Sequence, residues 1–152
     1  MDTKPPSPKF ENLVVTSEGR RGALTLNRPS SLNALSDEMM AEIIMAVNWF
    51  NQQPDLSVVV VSGTGRTFCA GFDIRALEKK ATSATEEPVS SDTGRLMADV
   101  LERMGPVSVA RLQGHVIGGG LVLAAACDLR IASSNTRFSI PEIDLGLSLI
   151  HI

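Results

Sequence analysis

Residues 107–130 read VSVARLQGHVIGGGLVLAAACDLR, and the passage through Gly118-Gly119-Gly120 decides the fold. An apolar strand pattern runs into a glycine triplet, and an entirely apolar helical stretch follows. Glycine there lets backbone N–H groups approach a ligand with no Cβ in the way, and a helix N-terminus adds partial positive charge at the same point. Such a junction suits an oxyanion. The plain alternative is that the glycines only let a helix pack closely.

The rest of the chain alternates strands and helices around that junction. Residues 13–16 and 22–27 read as a hairpin turning at Glu18-Gly19, and Asn27-Arg28-Pro29 ends it. Ser36 is a candidate N-cap, with Asp37 and Glu38 in the first turn of a helix over 39–50. The run VVVVS at 58–62 has no polar alternation, which predicts a strand buried on both faces. A glycine-punctuated loop spans 63–71, residues 73–80 start a helix, and the Thr, Ser, Glu and Pro residues of 81–92 predict a mobile surface loop. Residues 95–104 are helical again. A strand over 107–112 precedes the triplet and a buried helix to about Cys127, with extended runs at 129–132 and 137–140. This order predicts a layered α/β fold.

Composition narrows the function. A chain of 152 residues, 43% hydrophobic, supports one domain with a real core. A net charge of −3 without a Lys/Arg cluster argues against nucleic-acid binding. Cys69 and Cys127 sit in apolar or glycine-rich runs without metal-ligand spacing, so neither a disulfide framework nor a metal site is expected. The polar, proline-rich start has no signal core and no spanning segment follows, which gives a soluble, cytoplasmic protein as the default. The last three residues match no peroxisomal address, though a longer form could carry one.

Four motifs in order, LNRPSSLNALS (26–36), GRTFCAGFDI (65–74), GHVIGGGLVLAAACDLRIAS (114–133) and FSIPEIDLGL (138–147), resemble those of the enoyl-CoA hydratase/isomerase family, the crotonases. The resemblance covers roughly residues 11–149. It implies an α/β spiral of ββα units, normally completed by a C-terminal helical region and assembled as trimers or hexamers. The implied division is a flexible leader over 1–10, an incomplete core domain over 11–149 and a divergent end at 150–152. The family acts on acyl-CoA thioesters in fatty acid metabolism as lyases or isomerases. The resemblance implies no permanently bound cofactor, coenzyme A being part of the substrate, and no metal.

Each motif then carries an expected role. Charge that develops on a thioester oxygen is held by two preorganised N–H donors, each worth ~3 kcal/mol. The resemblance assigns these to the backbone N–H groups of Phe72 and Gly119. Asn33, Ala34 and Leu35 resemble the segment that shapes the CoA adenine pocket, and Ala70, Asp73 and Ile74 the strand end along which pantetheine lies. Gly118 and Val122 flank the donor on the helix side. Arg28 and Arg75 are candidates for CoA phosphates, with Arg28 read as a solvated surface arginine. His115 reads as packing rather than as a base.

The carboxylates separate the possible reactions. Typical hydratases of the family use two glutamates, and the first of those positions is Val122 here, while the second is Glu142, 20 residues on. Valine moves no proton, so two-carboxylate hydration is not expected. A single glutamate suits Δ3,Δ2-enoyl-CoA isomerisation, provided an apolar acyl pocket raises the Glu142 carboxyl. After Leu147 the family continues into helices that close the pocket and form trimers, whereas this chain reads Ser148-Leu149-Ile150-His151-Ile152 and stops. The expectation is a chain truncated at its C-terminus, lacking that trimerisation region and exposing apolar surface. A non-catalytic CoA-thioester binding module, or an inactive fragment associating with full-length subunits, is the alternative.

Overall fold

The computed structural model describes residues 7–73 and 91–141. Leu13–Glu18 (β1) and Arg21–Leu26 (β2) form the expected antiparallel hairpin, with Glu18 opposite Arg21 across a two-residue turn. A 3-10 turn at Pro29–Ser31 leads to the helix Asp37–Asn51 (α1). Its N-cap is Ser36, whose hydroxyl accepts from the Met39 N–H, with Asp37 and Glu38 in the first turn as the sequence predicts. Val58–Gly63 (β3) follows, then the helix Ser91–Glu102 (α2), which begins inside the stretch expected to be loop. The expected helix start over 74–80 and the rest of that loop lie outside the described residues.

Val107–Leu112 (β4) leads to His115–Ile117 (β5), a strand that the sequence did not reveal. Gly119–Ala125 (α3) is shorter than expected, and Leu129–Ala132 (β6) and Arg137–Ser139 (β7) complete the described elements. The main sheet has the order β1-β2-β3-β4-β6, parallel beyond the hairpin. A second, parallel pair joins β5 to β7.

One face of the main sheet carries the core. Leu24, Leu26, Val59, Val61 and Ala110 are fully buried there in one cluster with Ile43, Val47 and Phe50 of α1 and Met97 of α2. Each large aliphatic or aromatic side chain removed from water in this way contributes about 1.5–3 kcal/mol before chain entropy is counted.

Among the described residues the opposite face is the more exposed one. Val58 and Val60 are half-buried beside Val107 and Val109, which lead on to Leu129 and Ile131. Ile131 is 63% exposed and Leu129 56%. Within VVVVS, Val59 and Val61 are therefore fully buried, while Val58 and Val60 on the other face are half-buried and that face closes only at Ser62. The uninterrupted valines record a strand suited to two covered faces, and the described helices cover only one.

Candidate active site

The site grows from the ends of adjacent strands. Beyond β3 the chain passes through residues 64–73 and lies between two neighbours. On one side Leu35 pairs with Phe72, the Leu35 N–H donating to the Gly71 carbonyl at 2.7 Å and the Asp73 N–H to the Leu35 carbonyl at 2.9 Å. On the other, Cys69 pairs with Val116 of β5, donating to the His115 carbonyl and accepting from the Ile117 N–H.

Gly71 bridges the two pairings. A Cβ built there would stand 3.6 Å from the Gly119 nitrogen and 3.0 Å from the Ile117 carbonyl oxygen, so the strand end lies directly against the start of α3.

The three glycines of the triplet have separate jobs. Gly118 turns the chain at φ 48°, ψ −113°, a conformation closed to residues with a Cβ. Gly119 makes room for Phe72: a Cβ there would meet the ring at 2.8 Å. Gly120 makes room for Cys69, whose carbonyl oxygen would lie 2.7 Å from an added Cβ. Close packing is thus a real function of the triplet, alongside any role of its N–H groups.

The Gly119 N–H, on the first residue of α3, lies among donors that a helix leaves without intrahelical partners. The Phe72 N–H points away from Leu35, because its neighbours Gly71 and Asp73 supply the groups that pair there. Among the described residues neither N–H has a backbone acceptor.

Polar side chains brace this arrangement. Asn33 is fully buried at φ 56°; its amide nitrogen donates to the Thr64 and Thr67 carbonyls, and its oxygen accepts from the Arg28 N–H. It therefore clamps the loop that carries Ala34 and Leu35. Arg28 is not a solvated arginine. It donates to the Ala34 carbonyl and pairs with Asp73 at 3.1 Å, with 23% and 17% of the two side chains exposed. The Asp73 partner lies 45 residues away and is brought in only by the fold.

The far end of α3 is fixed as firmly. The Arg130 guanidinium donates to the Ala124, Ala125 and Cys127 carbonyls, capping the helix. The Asp128 carboxylate accepts from both the N–H and the hydroxyl of buried Ser108 at 2.7 Å, and those bonds hold it below the usual carboxylate range. The DLR segment is thus a pair of staples on the triplet helix.

Several expectations need adjusting. The helix after the triplet is buried only at Gly119, Gly120, Leu123 and Ala124, with Leu121 and Val122 half-buried and Ala125 exposed. His115 is exposed at the start of β5 rather than packed. Both cysteines are buried, and burial pushes the Cys69 thiol up to about 12 and the Cys127 thiol to about 11. Phe72 and Gly119 adjoin, with Gly118 and Ala70 beside them in sequence, and Asp73 stays tied to Leu35 and Arg28. Ile74, Arg75 and Glu142 lie outside the described residues. Among the described residues, no helix is long and apolar enough to cross a membrane.

Known proteins share this fold. A solved enoyl-CoA hydratase/isomerase from Marinobacter aquaeolei superposes with a TM-score of 0.85 at 28% identity, over 93% of this chain and 56% of its own. A crotonase of Legionella pneumophila gives 0.84 at 30% identity, over 91% and 54%. The fold is therefore the crotonase α/β fold. In sequence, the crotonyl-CoA hydratase of Syntrophomonas wolfei is 34% identical over 140 residues, 91% of this chain and 53% of its own length. A peroxisomal Delta(3,5)-Delta(2,4)-dienoyl-CoA isomerase of Arabidopsis thaliana is 35% identical over 137 residues, 82% and 48%. The chain spans about half the length of the curated relatives it matches. The profile of Enoyl-CoA hydratase/isomerase matches residues 21–148, and with the shared fold this makes the chain a member of the enoyl-CoA hydratase/isomerase family.

Proposed function

We propose that this chain binds acyl-CoA thioesters and stabilises an enolate, with the N–H groups of Phe72 and Gly119 as the oxyanion donors and Glu142 as a single acid/base. The observation that carries the reading is the adjacency of Phe72 and Gly119, neither N–H having a backbone acceptor among the described residues. On a 3-enoyl-CoA the Glu142 carboxylate takes a proton from C2, and the electron pair delocalises as a dienolate onto the thioester oxygen held by the two donors. The same carboxyl returns the proton at C4, and the double bond has moved from Δ3 to Δ2. Val122 offers no second carboxylate for water, which favours isomerisation over hydration.

Asn33, Ala34 and Leu35 shape the adenine end of the ligand, and Ala70, Asp73 and Ile74 the pantetheine path, with Gly118 and Val122 at the acyl side. Coenzyme A enters as part of the substrate and there is no resident cofactor. The cytoplasm is the proposed location, and trimers or hexamers the proposed assembly.

A second reading, thioester binding without turnover, is favoured by Val122, which puts no carboxylate at the first of the two glutamate positions. Incubation with 3-enoyl-CoA and 2-enoyl-CoA separates the two. Isomerisation abolished by Glu142→Gln supports the first and binding without turnover the second. Strong hydration would overturn the role given to Val122, and absence of both binding and turnover would overturn both readings.

A further inference from the structure

Arg28 lies at one end of an unbroken line of hydrogen bonds whose other end is Phe72. Its guanidinium donates to the Ala34 carbonyl. That carbonyl shares a planar peptide unit with the Leu35 N–H, which donates to the Gly71 carbonyl at 2.7 Å. The Gly71 carbonyl in turn shares a peptide unit with the Phe72 N–H. In a trans peptide the C=O and N–H point in opposite directions, so holding the Gly71 oxygen toward Leu35 aims the Phe72 N–H away from it. Gly71, at φ 94°, gives that peptide little local resistance to rotation, and its orientation depends on these bonds.

We infer that Arg28 is a positioning residue whose charge acts on the Phe72 N–H through the Ala34–Leu35 and Gly71–Phe72 peptide units. Each bond in such a line polarises the next in the same sense: the cation draws charge from the Ala34 carbonyl, the Leu35 N–H becomes a stronger donor, and so does the Phe72 N–H. Both ends of Arg28 are tied down. Its N–H and carbonyl bond to Asn33, and Asp73 holds the other arm of the fork at 3.1 Å. Asp73 keeps the guanidinium in place but is not a link in the line.

The inference rests on the reading of Phe72 as an oxyanion donor, and two readouts on the full chain keep the two apart. In the ligand-free protein, amide NMR and hydrogen exchange compare wild type with Arg28→Met, Arg28→Gln, Arg28→Lys and Asp73→Asn, the amides of Leu24 and Ile43 serving as controls for global stability. Arg28→Met is expected to move the Leu35 and Phe72 amide protons upfield together and to speed exchange at Leu35 by about tenfold. Arg28→Gln, which keeps a neutral donor, gives a smaller change of the same sign, and is the measurement of record should the methionine variant not fold. Arg28→Lys and Asp73→Asn, which keep the positive charge, stay near wild type. Unchanged Leu35 and Phe72 amides in both neutral variants, a change as large in Asp73→Asn, or a change spread equally over the control amides would each overturn the relay.

The second readout is the carbonyl resonance of crotonyl-CoA labelled with carbon-13 at C1. Its downfield shift on binding is expected to shrink in Arg28→Met. No shift with wild type would remove the donor reading, while the ligand-free amides still decide the relay. A full shift in Arg28→Met would overturn it.

Discussion

The Phe72 ring lies over the α-carbon of Gly119, where a Cβ would stand 2.8 Å from Cε2, and Gly120 meets the Cys69 backbone carbonyl at 2.7 Å in the same way. The two contacts differ in what can yield. An aromatic ring can swing aside, whereas a carbonyl held by the Ile117 N–H cannot. Gly120→Ala is therefore expected to cost the upper part of the ~1–3 kcal/mol typical of overpacking, and Gly119→Ala the lower part. Denaturant unfolding of the two variants checks the order, and equal costs would remove the distinction.

Asn33 makes three side-chain bonds from a fully buried position. Asn33→Ala strands the Thr64 and Thr67 carbonyls and the Arg28 N–H, and asks alanine to hold a positive φ, for a loss on the order of 3 kcal/mol. Asn33→Asp keeps the acceptor but turns a carboxylate oxygen toward two carbonyls, and is expected to be no better tolerated. Thermal unfolding distinguishes this clamp from a loop asparagine with no internal bonds, for which both changes would be nearly silent.

What the sequence disclosed followed from how local each feature is. The Ser36 cap and the β1–β2 hairpin depend on residues within a few positions of one another, and both were legible. β5 is three residues long and exists because Cys69 and β7, both distant in sequence, pair with it. The pairing of Arg28 with Asp73 and of Asp128 with Ser108 was hidden for the same reason, the partners lying 45 and 20 residues away, whereas Arg130 caps carbonyls within six residues of itself. At the candidate site the motif residues Phe72 and Gly119 were found from resemblance, while the contact between them came from the fold alone.

Asp128 supplies a pH dependence whose sign follows from its bonds to Ser108. Its carboxyl titrates below the ordinary value in the folded chain, so it adds stability above the unfolded value of about 3.9. That stability is lost as pH falls through the lower folded value. Asp128→Asn should therefore lower Tm near neutral pH, with the difference from wild type narrowing below about pH 4. A gap in Tm that stayed constant from pH 7 to pH 3 would show that the charge on Asp128 is not what matters.

The more exposed face of the sheet makes a prediction that compares a buried valine of β3 with an exposed isoleucine of β6. Val59 is fully buried and Val60 half-buried on opposite faces of β3, and Ile131 is 63% exposed on the Val60 side. Threonine keeps the β-branch, so a change to it mainly adds a hydroxyl. Val59→Thr buries that hydroxyl in the core and is expected to cost ~1–3 kcal/mol. Ile131→Thr should change stability by no more than about 0.5 kcal/mol. It should also reduce self-association and dye binding, because it interrupts the apolar strip formed with Leu129 and Val109. Unfolding curves and light scattering on both variants test this together. Equal destabilisation by the two changes would mean that the Leu129–Ile131 face is covered in solution, and unchanged scattering for Ile131→Thr would mean that the strip is not what drives association.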